Sequence, residues 1–195
     1  MNRRFFISGL SAALVLPALP AFAITEAGAK KLVDSLVNDI NKVIAAGKSE
    51  SAMFRDFERI FKRYSDTSYI AAYAMGVDGR RATASQKRAF SSAFQSYIGR
   101  KYGSRFREFI GGRLEVRSVK KVKNWYEVST TAYLRNEAPF DVTFQVSDRA
   151  GKDLFFNMYI EGVNLLLTER SEIGALIDRN GGSIDGMIAD LKKAG

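Results

Sequence analysis

The hydrophobic period changes at Gly111-Gly112, and that change limits the fold more than any single residue does. Before it, apolar side chains recur at steps of three and four, as on one face of an α-helix. After it they alternate, as along a strand with one buried face. Helices gathered first and strands second are the order of an α+β domain, not of an alternating α/β one.

Four helices are predicted before the change. Leu32, Val33, Leu36, Val37, Ile40, Val43 and Ile44 mark one within residues 24–45, with Gly47 as its stop. Ser51 to Tyr64 carries Met53, Phe54, Phe57, Ile60 and Phe61, and Asp66 to Met75 is a third, short helix. The longest starts near Thr83-Ala84-Ser85-Gln86, where a hydroxyl side chain can cap free N–H groups. Phe90, Phe94, Tyr97, Ile98 and Tyr102 share one face of it, while Arg88, Gln95 and Lys101 fall elsewhere on the wheel. Such a stripe faces either a packed core or a pocket for an apolar ligand.

After the change, Leu114 and Val116 alternate with Arg113, Glu115 and Arg117, with Val119 and Val122 as further candidates on that strand, and Trp125 to Leu134 is rich in aromatic and β-branched residues. Phe140, Val142, Phe144 and Val146 alternate with Asp141, Thr143, Gln145 and Ser147 from Pro139 onward. Asp148 to Gly151 is a turn, and Leu154, Phe156, Met158 and Ile160 share one face of a fourth strand. Short connections predict a curled four-stranded antiparallel meander, its polar face in water and its apolar face on the helices. Glu161 to Leu167 is an apolar crossing. Thr168 is the predicted cap of a helix through Ile177, with Glu169 and Glu172 in its first turn, and Ser183 caps a last helix.

The first 23 residues read as an export leader: Arg3-Arg4-Phe5-Phe6-Ile7, an apolar run, then Ala21-Phe22-Ala23 as a cleavage site. The paired arginines match a twin-arginine signal, although an ordinary secretory signal carries the same apolar run. Residues 24–195 are then one exported domain, placed in the bacterial periplasm. It has no Cys and no His, which removes disulfides, Ser-His-Asp triads, Cys-His pairs and nitrogen–sulfur metal sites. No metal and no cofactor is expected.

Charge is uneven. Residues 80–123 carry thirteen basic and two acidic side chains, whereas residues 24–79 balance and residues 124–195 are net −4. A basic patch suits an anionic partner: lipid head groups, nucleic acid or an acidic protein surface. It also serves as a solvated face. An enzyme on this fold would draw on Asp141, Glu127, Glu161 and Tyr159, with Asp141 on the polar side of its strand. A nucleic-acid binder would use the basic quarter with exposed aromatics, which export and the placement of the aromatics disfavour.

Arg81-Ala82-Thr83-Ala84-Ser85-Gln86, the run from Phe90 through Phe94 to Tyr97-Ile98, and Lys101-Tyr102-Gly103 resemble the MlaC family, also called toluene-tolerance auxiliary proteins. So do Asn157-Met158-Tyr159-Ile160-Glu161-Gly162-Val163-Asn164 and the terminal Gly181-Gly182-Ser183-Ile184-Asp185. The resemblance covers nearly the whole exported part in order. It implies a cone-shaped sheet related to the NTF2-like fold, wrapped by helices, with a deep pocket for phospholipid acyl chains. It further implies a monomeric carrier between an outer-membrane lipoprotein–porin complex and an inner-membrane ABC transporter, not an enzyme.

On that reading the pattern nominates Phe94, Tyr97, Ile98 and Tyr102 from the long helix as pocket lining. It nominates Phe140, Val142, Phe144, Phe156, Met158 and Ile160 from the sheet, and Val163 and Leu166 after it. Arg80, Arg81, Lys101 and Arg105 are the candidate contacts to head group or partner.

Overall fold

The computed structural model describes residues 23–105, 110–135 and 137–194, without the side chains of Ser104 and Arg105. All of the predicted leader except Ala23 lies outside the described residues, as does the Arg105 side chain.

The helical half begins with α1 (Glu26–Ala45), where Thr25 Oγ1 accepts the Gly28 N–H at 3.0 Å. Its apolar stripe from Ala29 to Ile44 is buried. α2 (Glu50–Tyr64) and α3 (Thr67–Met75) follow, the latter capped by Asp66, and a 3-10 turn over Gly76–Arg80 leads on. α4 (Ala84–Arg105) opens on a reciprocal cap. Thr83 Oγ1 accepts the Gln86 N–H at 3.1 Å, and Gln86 Oε1 accepts the Thr83 N–H at 2.9 Å.

The sheet has five strands in the order of the chain, all antiparallel, where the pattern predicted four. They are β1 (Arg113–Val122), β2 (Trp125–Tyr133), β3 (Phe140–Ser147), β4 (Leu154–Ile160) and β5 (Val163–Asn164). The fifth arises because Glu161 and Gly162 both take positive φ, 49° and 80°, and close a two-residue hairpin with Val163 opposite Ile160. The same turn corrects the next helix. α5 (Leu165–Arg179) starts three residues before Thr168 and is capped by Asn164, whose Oδ1 accepts the Leu167 N–H. Glu169 is thereby moved out of the first turn. α6 (Ile184–Leu191) is capped by Ser183, as its sequence predicts.

Two irregularities curl the sheet, one in β1 between Val116 and Ser118, the other between β3 and β4 beside Gln145 and Val146. The second shifts alternation along β4. Val146 pairs with Phe155, and Phe144 with Met158, so Phe156 is the extra residue. Phe155 takes the core position, its ring 5.6 Å from Phe144 and 6.2 Å from Phe61. Phe156 packs on Tyr69 and Trp125 instead.

α1 lies against β1 to β3, and α5 lies against β4. α2 packs on α4, where Gly99 and Gly103 let the two helices close on each other: a Cβ at Gly103 would fall 2.7 Å from the Phe54 ring. Arg100 ties α4 to the chain end by donating to the carbonyl oxygens of Leu191 and Ala194. Among the described residues no helix is long and apolar enough to cross a membrane.

Candidate functional site

The helices and the sheet do not close completely on each other. A cavity of about 630 Å³ lies between them, within the size range of small-molecule sites. Leu36 and Ile40 of α1, Phe57, Ile60 and Phe61 of α2, and Ile98, Gly99 and Tyr102 of α4 form its helical wall. Phe140, Val142 and Phe144 of β3 and Phe155 to Asn157, Met158 and Ile160 of β4 form its strand wall. Exposed Glu137, Ala138 and Glu161 also border it and mark where it meets solvent.

The buried amide of Asn157 fixes the junction of β4 and α5. Its Oδ1 accepts the Leu166 N–H at 3.2 Å, and its Nδ2 donates to Gln145 Oε1 at 3.1 Å. Gln145 Nε2 donates in turn to Glu127 at 3.0 Å. These bonds satisfy groups that are costly to bury alone, and they seat Leu165, Leu166 and Glu169 on the cavity.

The polar wall is built around Glu169, which is 3% exposed. Its Oε1 accepts from Lys101 Nζ at 2.7 Å and from Tyr102 Oη at 2.5 Å. Lys101 also reaches Glu172 at 2.6 Å, and Tyr97 Oη donates to Glu172 at 2.7 Å. Glu169 Oε2 is buried without a hydrogen-bond partner. Burial pushes the Glu169 carboxyl above its ordinary range, against the pull of Lys101 and Tyr102. Burial, then the neighbouring glutamates, also raises both tyrosines.

Of the residues nominated from pattern, Ile98, Tyr102, Phe140, Val142, Phe144, Phe156, Met158, Ile160 and Leu166 border the cavity. Three do not. Phe94 stacks on Phe90 at 5.4 Å in the core, and Tyr97 is buried beside it. Val163 is 55% exposed on β5 because the unforeseen hairpin carries it outside. Lys101 is also corrected. It is 21% exposed and held by two glutamates rather than presented to solvent. Arg80 and Arg81 are exposed on the 3-10 turn and its end, Arg81 paired with Asp78 at 2.7 Å, and neither borders the cavity.

The carboxylate and tyrosine candidates for an enzyme do not converge. Only Glu161 borders the cavity. Asp141 is exposed, Glu127 accepts from Gln145, and Tyr159 Oη accepts from Asn164. Among the described residues no group of three or more acidic side chains could hold a metal ion.

A family model described as MlaC protein matches residues 30–193. Among solved structures, a phospholipid-binding protein from Ralstonia solanacearum, in complex with a phospholipid, superposes with a TM-score of 0.69. The match is 18% identical and covers 86% of this chain and 94% of that one. It establishes a shared α+β fold with a curled antiparallel sheet.

Proposed function

This chain belongs to the MlaC family, and from that premise we propose that it is a periplasmic phospholipid carrier. It takes acyl chains into the cavity between sheet and helices and leaves the head group at the mouth. Its curled sheet and wrapping helices are an NTF2-like cone put to carriage, not catalysis. The observation that carries the reading is the cavity itself: roomy, open at one end, and walled by aromatic and aliphatic side chains from five helices and three strands, α3 through Ile70, α5 through Leu166 and β1 through Leu114 among them.

The energetics ask for such a device. Moving a methylene from apolar surroundings into water costs about 0.8 kcal/mol, so two acyl chains cannot cross an aqueous compartment unshielded. A carrier replaces the bilayer's apolar contacts without greatly exceeding them, since excess affinity would prevent release. The solved phospholipid complex on a shared fold supports the ligand class.

The chain works as an exported monomer, after removal of residues 1–23. It collects or delivers lipid at an outer-membrane lipoprotein–porin complex and at an inner-membrane ABC transporter. The test is transfer of a fluorescent phospholipid from donor to acceptor vesicles by the mature protein. Transfer that scales with protein concentration supports carriage. Transfer no faster than spontaneous exchange rejects it.

A further inference from the structure

The backbone N–H of Ile24 donates to Asp148 Oδ2 at 2.8 Å, across 124 residues of sequence. Ile24 packs half-buried on the core just ahead of α1, and Asp148 opens the turn between β3 and β4. Asp153, at the other end of that turn, also lies on the start of α1, where its carboxylate fills the space that a Cβ on Gly28 would need. Among the described residues neither aspartate is paired with a lysine or arginine. Burial, then the charge of Asp148, pushes the Asp153 carboxyl above its ordinary range.

Ile24 is also the residue that follows Ala21-Phe22-Ala23, the cleavage site of the export leader. Ala23 is exposed, and residues 23–25 lie in neither helix nor strand, so the bond between Ala23 and Ile24 is open to a peptidase. Resting on the export reading, we propose that cleavage there turns the hydrogen bond into an ion pair: the new Ile24 α-ammonium is held by Asp148 and Asp153, and it fastens the start of α1 to the β3–β4 turn in the processed chain alone. Water adds across the Ala23–Ile24 peptide bond. Ala23 leaves with a new carboxylate, and Ile24 keeps the nitrogen, which is protonated at neutral pH.

The nitrogen is already in place, so cleavage changes its charge and not its position. A bond from an ionised donor to a carboxylate is roughly twice as strong as one from a neutral amide. The N-terminus of α1 opposes the new charge, since its dipole places about half a positive charge there. Two carboxylates, one in hydrogen-bond contact, outweigh it. The other charged groups of these segments are Glu26 in the first turn of α1, and Arg149 and Lys152 on the turn. Arg149 is stacked over Tyr69 at 4.2 Å and Phe156 at 4.1 Å, and Lys152 is exposed. The strands that this tie reaches, β3 and β4, are those that wall the cavity.

The experiment expresses the full chain, purifies the exported protein and sequences its N-terminus, which should read Ile24-Thr25-Glu26. The α-amine is then titrated by competitive acylation at graded pH, read by mass spectrometry of the N-terminal peptide. Its pKa should stand about one unit or more above the ordinary value of about 7.7–8.0. Asp148→Asn should return it to that value, and Asp153→Asn part of the way. An amine whose pKa is raised by folding contributes stability below its unfolded value, and the contribution is lost as pH rises through the folded one. The urea midpoint of the wild type should therefore fall more between about pH 8 and 10 than that of Asp148→Asn. It should also fall more than that of a chain in which a Met precedes Ile24 and the nitrogen stays an amide, which carries the comparison if Asp148→Asn fails to fold. An ordinary α-amine in the wild type, or midpoints that fall in parallel in all forms, overturns the ion pair and leaves export standing. A different first residue overturns the cleavage point and the ion pair, and retention of residues 1–23 overturns the export reading with them.

Discussion

Lys101 Nζ lies 2.7 Å from Glu169 Oε1, and this contact joins α4 to α5 beside a mostly apolar cavity. Glu169 is almost wholly removed from water, so its charge does not tolerate loss of Lys101, whereas Lys101 keeps a second partner in Glu172. Lys101→Met should destabilise the protein by about 3 kcal/mol or more in urea unfolding. The double variant Lys101→Met/Glu169→Leu should recover part of that loss. A single-variant cost below about 1 kcal/mol would mean that the pair is solvated in solution.

Met158 tests whether the space is real. It borders the cavity and pairs with Phe144 across the strands. Met158→Trp in a solid core would cost about 1–3 kcal/mol of overpacking. With a cavity to receive the indole, stability should stay within about 0.5 kcal/mol while most co-purifying lipid disappears. Val163→Ser, on the exposed hairpin, should change neither. Equal lipid in wild type and Met158→Trp would move the ligand elsewhere.

Gly103 and Gly174 make a matched pair on two helices. An added Cβ at Gly103 meets the Phe54 ring at 2.7 Å and its Cα at 3.3 Å, whereas at Gly174 nothing lies within 4 Å. Gly103→Ala should therefore lose about 1–3 kcal/mol as α2 is pushed from α4. Gly174→Ala should gain up to about 1 kcal/mol from helix propensity. Thermal unfolding of the two variants checks the contrast, and destabilisation of equal size in both would refute it.

Those elements show what the residues disclose unaided. Periodicity located every helix and the first four strands, because each buries one face and the period records it. It missed β5 because Glu161-Gly162 is a weak hairpin signal beside Asn-Gly. That omission displaced the start of α5, the place of Glu169 and the environment of Val163 together. The bulge in β4 was equally silent, since Phe155 and Phe156 are the same residue type and nothing in their order marks which of them is the extra residue. Spacing put Phe94 and Ile98 on one stripe, but not which part meets the cavity and which meets Phe90. Lys101 read as a surface charge because its partners lie 68 and 71 residues away. The apolar surfaces of α1 and α2 at the cavity were visible as stripes, with nothing to separate pocket from core.

Acid should weaken the fold partly through Asp56. Its carboxyl is buried and held below the ordinary carboxylate range by the Lys48 hydrogen bond at 2.7 Å, with help from Arg59. A depressed folded pKa contributes stability above the unfolded value of about 3.9, and the contribution vanishes as pH falls through the folded one. Asp56→Asn should therefore cost about 1–2 kcal/mol at neutral pH, limited by the exposure of both cations. Urea midpoints of wild type and variant should converge as pH drops below about 4. A gap that persists at low pH would assign the loss to packing.

Carriage stands or falls on what the cavity holds when the protein is purified. The direct measurement is native mass spectrometry of the purified mature protein, followed by solvent extraction and lipid identification. The prediction is a bound species with the mass of a diacyl phospholipid, lost selectively in Met158→Trp. A spectrum of lipid-free protein with a clean extract, from wild type purified without detergent, would contradict it.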